Sequence, residues 1–327
     1  MTLARRGFLT ISSLALGAAL VPGPVSSQSY PAQGVRVIVP YPAGGTTDVI
    51  ARGVTQWLAP MWSQPIVIEN KAGAGTRIGT ESVAKADPDG HTLLVTAEAT
   101  FVVNPHTHSK LSYGLADFMP ISGLGISTHV LVAQPSAPVR SVAELIALAR
   151  AKPGELNYGT FGPGSSSHLN MEMFQSAAGV KLKPVHYRGA APMLNDLIGG
   201  HIQLAFTGMT LAAEPMKAGQ LRALGVGSSN RLAQFADVPA IAESGLPGFQ
   251  AISWFGLFAP RGTPRDIVAK ISADVQRVLV NPEFKEKFLD PNYLQPIAGS
   301  PDEFTRYVEA DAAKWGKIIK EANIVVE

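Results

Sequence analysis

The chain of 327 residues contains no cysteine. That absence excludes disulfides, a thiol nucleophile, thiolate zinc sites and a lipid-modified cysteine, so stability has to come from packing. Beyond residue 28 there is no run of 18 apolar residues, and a soluble protein is expected. A basic excess is missing too. The sequence has 27 Lys plus Arg against 25 Asp plus Glu, and Arg5 and Arg6 fall in a leading segment whose removal leaves a formally neutral chain. Nucleic-acid binding relies on cationic groups that displace counterions, so no nucleic-acid partner is expected. Long linkers, low-complexity runs and internal repeats are absent as well.

What is present opens with a processing signature. Arg5 and Arg6 precede an apolar run from Ile11 to Val21, too short to span a bilayer, and small residues follow around Val25 to Ser27. "ARRGFLT" is similar to a twin-arginine export signal. Residues 1–28 therefore read as an export signal peptide, and the expected location is periplasmic.

From residue 29 the chain alternates strand-like and helix-like segments. "VRVIVP", "PIVIEN" and "HTLLVT" are short β-branched runs, separated by "DVIARGVTQWLAPMW" and "TRIGTESVAKA" at helical spacing. The alternation restarts with "THVLVAQ", "ELNYGT", "LKPVHY", "IQLAFT" and "LRALGVG". Ser141 and Glu144 predict a capping box at the start of "SVAELIALARA", and Pro264 and Pro301 suit first helical turns. The reading is an α/β fold with a mainly parallel sheet, in a chain long enough for two domains. Without a flexible linker, "THVLVAQ" and "ISWFGLFAP" are the candidates for strands that cross between lobes and form a hinge. Lobe 1 is then residues 29–130 plus 252–327, and lobe 2 residues 131–251.

Four glycine-bearing segments, "PAGGTTD", "AGAGTRIG", "GTFGPGSSSH" and "RGAAP", follow strands and open helices. Loops in that position line the crevice of an α/β sheet, where the free N–H groups of a helix's first turn favour an anion. "GAGTRIG" departs from a dinucleotide fingerprint in the spacing of its third glycine and lacks the acidic residue about 20 positions on. Ser165 to Ser167 beside His168 suggest a hydrolase, but the chain has no G-x-S-x-G and adjacency in sequence does not build a triad. His106 and His108 could approach a metal, yet no third ligand is evident. No cofactor or metal is expected. Asp48, in the first turn after the glycine loop, either braces that loop or reads a ligand.

"VPYPAGGTTDVIAR", "IENKAGAGTRIG", "DPDGHTLL", "GPGSSSHLNMEMF", "YRGAAPMLNDLIGG", "DVPAIAESGLPGF" and "WFGLFAPRGTP" occur in that order. Together the motifs resemble the extracytoplasmic solute receptors of tripartite tricarboxylate transporters, the Bug family, from about residue 31 to the C-terminus. The resemblance implies a periplasmic binding protein of type II-like fold, two α/β lobes joined by crossing strands, closing on a small organic carboxylate for delivery to membrane subunits. It implies that Tyr41, Pro42, Ala43, Gly44, Gly45, Thr46, Thr47 and Asp48 hold one carboxylate. Phe161, Gly162, Gly164, Ser165, Ser166, Ser167 and His168 come from the second lobe. Ala97, Glu98 and Thr100, then Tyr187, Arg188 and Gly189, then Thr207, Gly208 and Met209 complete the pocket.

Three positions depart from the family's pattern. Thr207 stands where many members have aspartate, Glu98 where small hydroxyl or amide residues are usual, and His186 where proline is common. Losing a carboxylate at Thr207 favours a second ligand carboxylate or an aromatic ring, whereas an inward Glu98 favours a ligand amine. The alternatives of a different class are an exported esterase or NADP-dependent reductase, and a receptor that feeds a sensor kinase. A monomer is expected.

Overall fold

The structure, a computed structural model, describes residues 30–107 and 110–321; residues 1–28, expected to be an export signal, and His108 lie outside the described residues. Its elements are β1 Val35–Val39, α1 Thr46–Trp62, β2 Ile66–Asn70, α2 Arg77–Ala84, β3 Thr92–Ala97, α3 Asn104–Thr107, β4 Phe118–Ala133 and α4 Val142–Ala151. There follow β5 Asn157–Thr160, α5 Ser166–Ala178, β6 Lys183–His186, α6 Ala190–Ile198, β7 Leu204–Gly208, α7 Met209–Lys217 and β8 Arg222–Val226. β9 Ile252–Pro260, α8 Arg265–Leu279, α9 Pro282–Phe284, β10 Leu294–Gln295 and α10 Pro301–Glu321 close the described chain. No described helix is long and apolar enough to cross a membrane.

The apolar strand runs are explained by burial on both faces. In β1, Val35, Val37 and Val39 join one core with Ile50 and Leu58 of α1, while Ile38 joins another with Phe101, Phe258 and Phe304. β4 repeats the device further along: Leu131 and Ala133 pack with Phe174 and Phe206, and Val130 and Val132 with Met193 and Leu197. A strand covered on both sides has no polar face, which is why these segments show no regular alternation, Arg36 being the one exposed residue in β1.

β1 pairs in parallel with β2 and β3, and β5 in parallel with β6 and β7. Between the two groups the sheet is antiparallel: β9 pairs with β3 and β4, and β4 with β7 and β8. This corrects the expected mainly parallel sheet to a mixed one. Helical crossovers generate the parallel pairs, whereas β9 brings the chain back between β3 and β4 against their direction.

β4 and β9 tie the two groups together. Phe118 to Thr128 of β4 pair with β9, and His129 to Ala133 continue the strand against β7. The predicted cap also forms, with a change of partner. Glu144 N–H donates to Ser141 Oγ at 3.1 Å, but the Glu144 carboxylate accepts from Arg140 N–H, one residue earlier than a capping box requires.

Candidate functional site

A cleft of about 540 Å³ lies between the two groups of strands. The helices that open onto it share one property. Gly45, Thr76, Ser165, Gly189 and Gly208 are the N-caps of α1, α2, α5, α6 and α7; all five line the cleft, and none makes a side-chain cap hydrogen bond. By contrast, Ser141 and Asn281 cap α4 and α9 with their side chains and do not line the cleft. A helix start without a cap keeps free N–H donors and the positive end of its dipole. Several such starts around one cavity suit an anion, and Arg188 adds a cation to the lining. The small void beside Val37, Leu58 and Trp62, about 10 Å³, is an apolar packing gap.

The side chains around α5 hold its loop rather than its cap. Ser165 Oγ donates to Gly162 O at 2.7 Å, Ser167 Oγ accepts from Phe161 N–H at 2.8 Å, and His168 Nδ1 accepts from Gly164 N–H at 3.2 Å. Burial pulls the His168 pKa below the usual value, partly offset by the nearby Glu172. Ser166, half-buried, is the first residue of α5 and lines the cleft.

Asp48 takes the bracing role. Its Oδ2 accepts from Gly44 N–H and from Arg52 Nε, both at 3.0 Å, and its Oδ1 accepts from Asn70 Nδ2 at 3.0 Å. Asn70 also donates to Tyr41 O, so one buried carboxylate ties both ends of the loop to β2. Burial alone would raise its pKa, but the bonds from Arg52, Gly44 and Asn70 outweigh that and hold it below the usual range.

Of the residues expected at the site, the cleft collects Tyr41, Pro42, Gly45, Thr46, Thr47, Ala97, Glu98, Phe161, Gly162, Gly164, Ser165, Ser166, Tyr187, Arg188, Gly189 and Gly208. Eight others are not in its lining. Asp48, Ser167 and His168 stand behind the loops they support. Ala43 and Gly44 form an exposed tip. Thr100 is buried in a hydroxyl network with Thr96 and Thr76. Thr207 pairs with Val130 within the sheet, and Met209 packs in a buried core with Val130, Ala212 and Leu221. His186, the third departure, bonds Thr160 Oγ1 at 2.7 Å and does not line the cleft.

The cleft also includes residues outside the expected site set. Ala72 to Thr76 form one wall, from "AGAGTRIG", one of the four glycine-bearing segments expected at the crevice but given no named ligand contact. His129 and Ser253 come from β4 and β9, and their approach depends on strand register. Asn170 Nδ2 lies 3.1 Å from His129 Nδ1, His129 Nε2 lies 2.9 Å from Ser253 Oγ, and Ser253 donates to Glu98 Oε1 at 2.8 Å. Burial pushes His129 down to about 4, so its ring is neutral at pH 7. The chain then has one consistent direction: Asn170 donates to Nδ1, Nε2–H donates to Ser253, and Ser253 donates to Glu98. Burial, with Asp311 adding repulsion, pushes Glu98 up to about 8 despite the Ser253 bond.

The two sides approach closely at glycines. Gly189 has φ +118° and ψ −178°, and a methyl there would stand 3.0 Å from Pro42 Cγ across the cleft. Gly189→Ala should therefore cost about 1–3 kcal/mol through backbone strain alone. A thermal melt checks this, and an unchanged midpoint would mean that the backbone relaxes there.

Fold and cleft together define a two-lobed α/β binding protein of the periplasmic type II-like kind. Residues 50–324 match the family described as tripartite tricarboxylate transporter family receptor. Protein BugT of Bordetella pertussis is 34% identical over 315 residues, covering 96% of each chain. A structure described as R. palustris Rpa4515 with adipate is 36% identical, with TM-score 0.87 over 90% of this chain and 99% of that one. MatC from Rhodopseudomonas palustris with bound malate is 31% identical, with TM-score 0.82 over 89% of this chain and all of that one. The chain belongs to the tripartite tricarboxylate transporter receptor family.

Proposed function

We propose that this protein is a periplasmic, non-catalytic receptor that captures a small organic carboxylate by lobe closure and hands it to the membrane subunits of a tripartite tricarboxylate transporter. The observation that carries the reading is the cluster of five uncapped helix starts around one cleft. Those donors are fixed before binding, so a carboxylate gains hydrogen bonds without reorganising its host. Dicarboxylates, tricarboxylates, aromatic acids and acidic amino acids are the ligand classes to consider. Adipate and malate, bound by the two relatives, lead the dicarboxylates.

The lobes are residues 29–130 plus 252–327 and residues 131–251, moving about β4 and β9, and residues 1–28 direct export through a twin-arginine-like signal. The non-catalytic reading is supported by Ser167 Oγ and His168 Nδ1, which accept from loop backbone N–H groups, while His168 Nε2 faces Glu172 and makes no hydrogen bond to a serine among the described residues. The protein works as a monomer, and closure creates the surface that transporter subunits recognise; a sensor kinase could read the same surface. A thermal-shift panel over these acids is the test. A true ligand at 100 times its Kd adds about 2.7 kcal/mol. If no acid shifts the midpoint and none binds by calorimetry, the carboxylate reading fails.

A further inference from the structure

Glu98 is only 2% exposed, lines the cleft, and begins the π-helical turn Ala99–Val103 directly after β3. Its Oε1 is committed to Ser253, and its Oε2 has no hydrogen-bond partner among the described residues. No described cation forms an ion pair with it. Every group upstream in the chain donates toward Glu98, from Asn170 through His129 and Ser253, so proton donation ends there. We propose that Glu98 acts as an uncharged carboxylic acid that donates from Oε2 to an oxygen of the ligand's second carboxylate, making this receptor selective for diacids. The proposal rests on the carboxylate-receptor reading above and reverses the amine preference expected from a negatively charged Glu98.

The physical argument is one of matching protonation to ligand charge. An ionised Glu98 in the cleft lining would repel a second carboxylate, whereas the acid form supplies the O–H that this carboxylate lacks. The titratable groups around it support the neutral form. Asp311 on α10 raises its pKa, while burial pushes Tyr41 up and Tyr307 up to about 12, so both remain neutral phenols. His129 on β4 is likewise neutral. Diacid binding should thus fix the proton on Glu98. With the free carboxyl at about 8, affinity is nearly level below pH 7 and falls as pH rises beyond it.

The experiment is calorimetric titration of adipate and malate into the wild-type protein and Glu98→Gln at pH 6, 7 and 9. In the wild type, Kd should weaken about tenfold between pH 7 and pH 9, with proton uptake seen by comparing buffers of different ionisation enthalpy. Glu98→Gln keeps a neutral donor, so binding at pH 6 should weaken by less than about tenfold and the pH dependence should flatten. Tightening with rising pH, or loss of all binding in Glu98→Gln, would overturn the proposal by indicating a charged Glu98 that pairs with a ligand cation. A flat wild-type profile would also overturn it. If neither diacid binds, the diacid proposal fails; the broader carboxylate reading fails only if the whole acid panel is silent. An infrared carbonyl band of the protonated acid, absent in Glu98→Gln and lost from the wild type above about pH 8, tests the donor state without ligand.

Discussion

Asp48→Ala should lower the thermal midpoint by about 6–12 °C, corresponding to about 3 kcal/mol in a domain of this size. The carboxylate accepts from Gly44 N–H, Asn70 Nδ2 and Arg52. Arg52 is half exposed, so its share is screened, and most of the cost falls on the Gly44 and Asn70 donors left without an acceptor. Asp48→Asn should lie between wild type and alanine, because the amide retains one acceptor oxygen but turns its NH₂ toward groups that already donate. The pH dependence has a definite sign. The folded-state pKa is depressed, so the contribution is fully present above the unfolded value of about 3.9 and is lost as pH falls through the folded value. The gap between wild type and Asp48→Ala should be constant from about pH 5 to 8 and shrink below about pH 4. An Asp48→Asn protein with an unchanged midpoint and altered ligand preference would assign the residue to ligand reading instead.

Asp48 also marks where the sequence stops being legible. Its place in the first turn was readable, but its role depends on Asn70, which stands 22 positions away and becomes its neighbour through β1–β2 pairing. The strands were readable for a local reason: β1 apart from the exposed Arg36, β3, and the Val130 to Ala133 end of β4 are buried on both faces and so are predominantly apolar. Their directions were not, because β9 runs antiparallel between β3 and β4 without a local signal for that choice. The two anion-site loops announced themselves through glycine and hydroxyl residues before a helix. The wall at Ala72 to Thr76 carries the same residue types and belongs to the same set of loops, and the rejected dinucleotide fingerprint does not alter that. Its glycines divide in role: Gly79 packs tightly, since a methyl there would come within 2.6 Å of Lys71 O, while Gly73 and Gly75 line the cleft. The His129, Ser253 and Glu98 chain was beyond sequence reading altogether. It joins residues from β4, β9 and the end of β3 that strand register alone brings within hydrogen-bond distance.

Ser166→Asp should weaken carboxylate binding by at least about 100-fold while leaving the free protein as stable as the wild type or slightly more so. Ser166 begins α5, lines the cleft and is half-buried. A negative side chain in a first helical turn is favourable by about 0.3–1 kcal/mol, so the substitution does not oppose folding. The same charge occupies the field that would otherwise attract the ligand. Two like charges 4 Å apart at an effective dielectric of about 20 repel by about 4 kcal/mol, which corresponds to nearly a thousandfold in affinity before salt screening. Ser166→Asn is the control, because it has the size of aspartate without the charge and should weaken binding by less than about tenfold. Calorimetry with a ligand from the acid panel, alongside thermal melts of both variants, separates the contributions. Equal losses in the two variants would make the defect one of shape, and the uncapped start of α5 would then no longer count as an anion site. A loss confined to Ser166→Asp, with the melting midpoint held or raised, is the result that only an electrostatic role predicts.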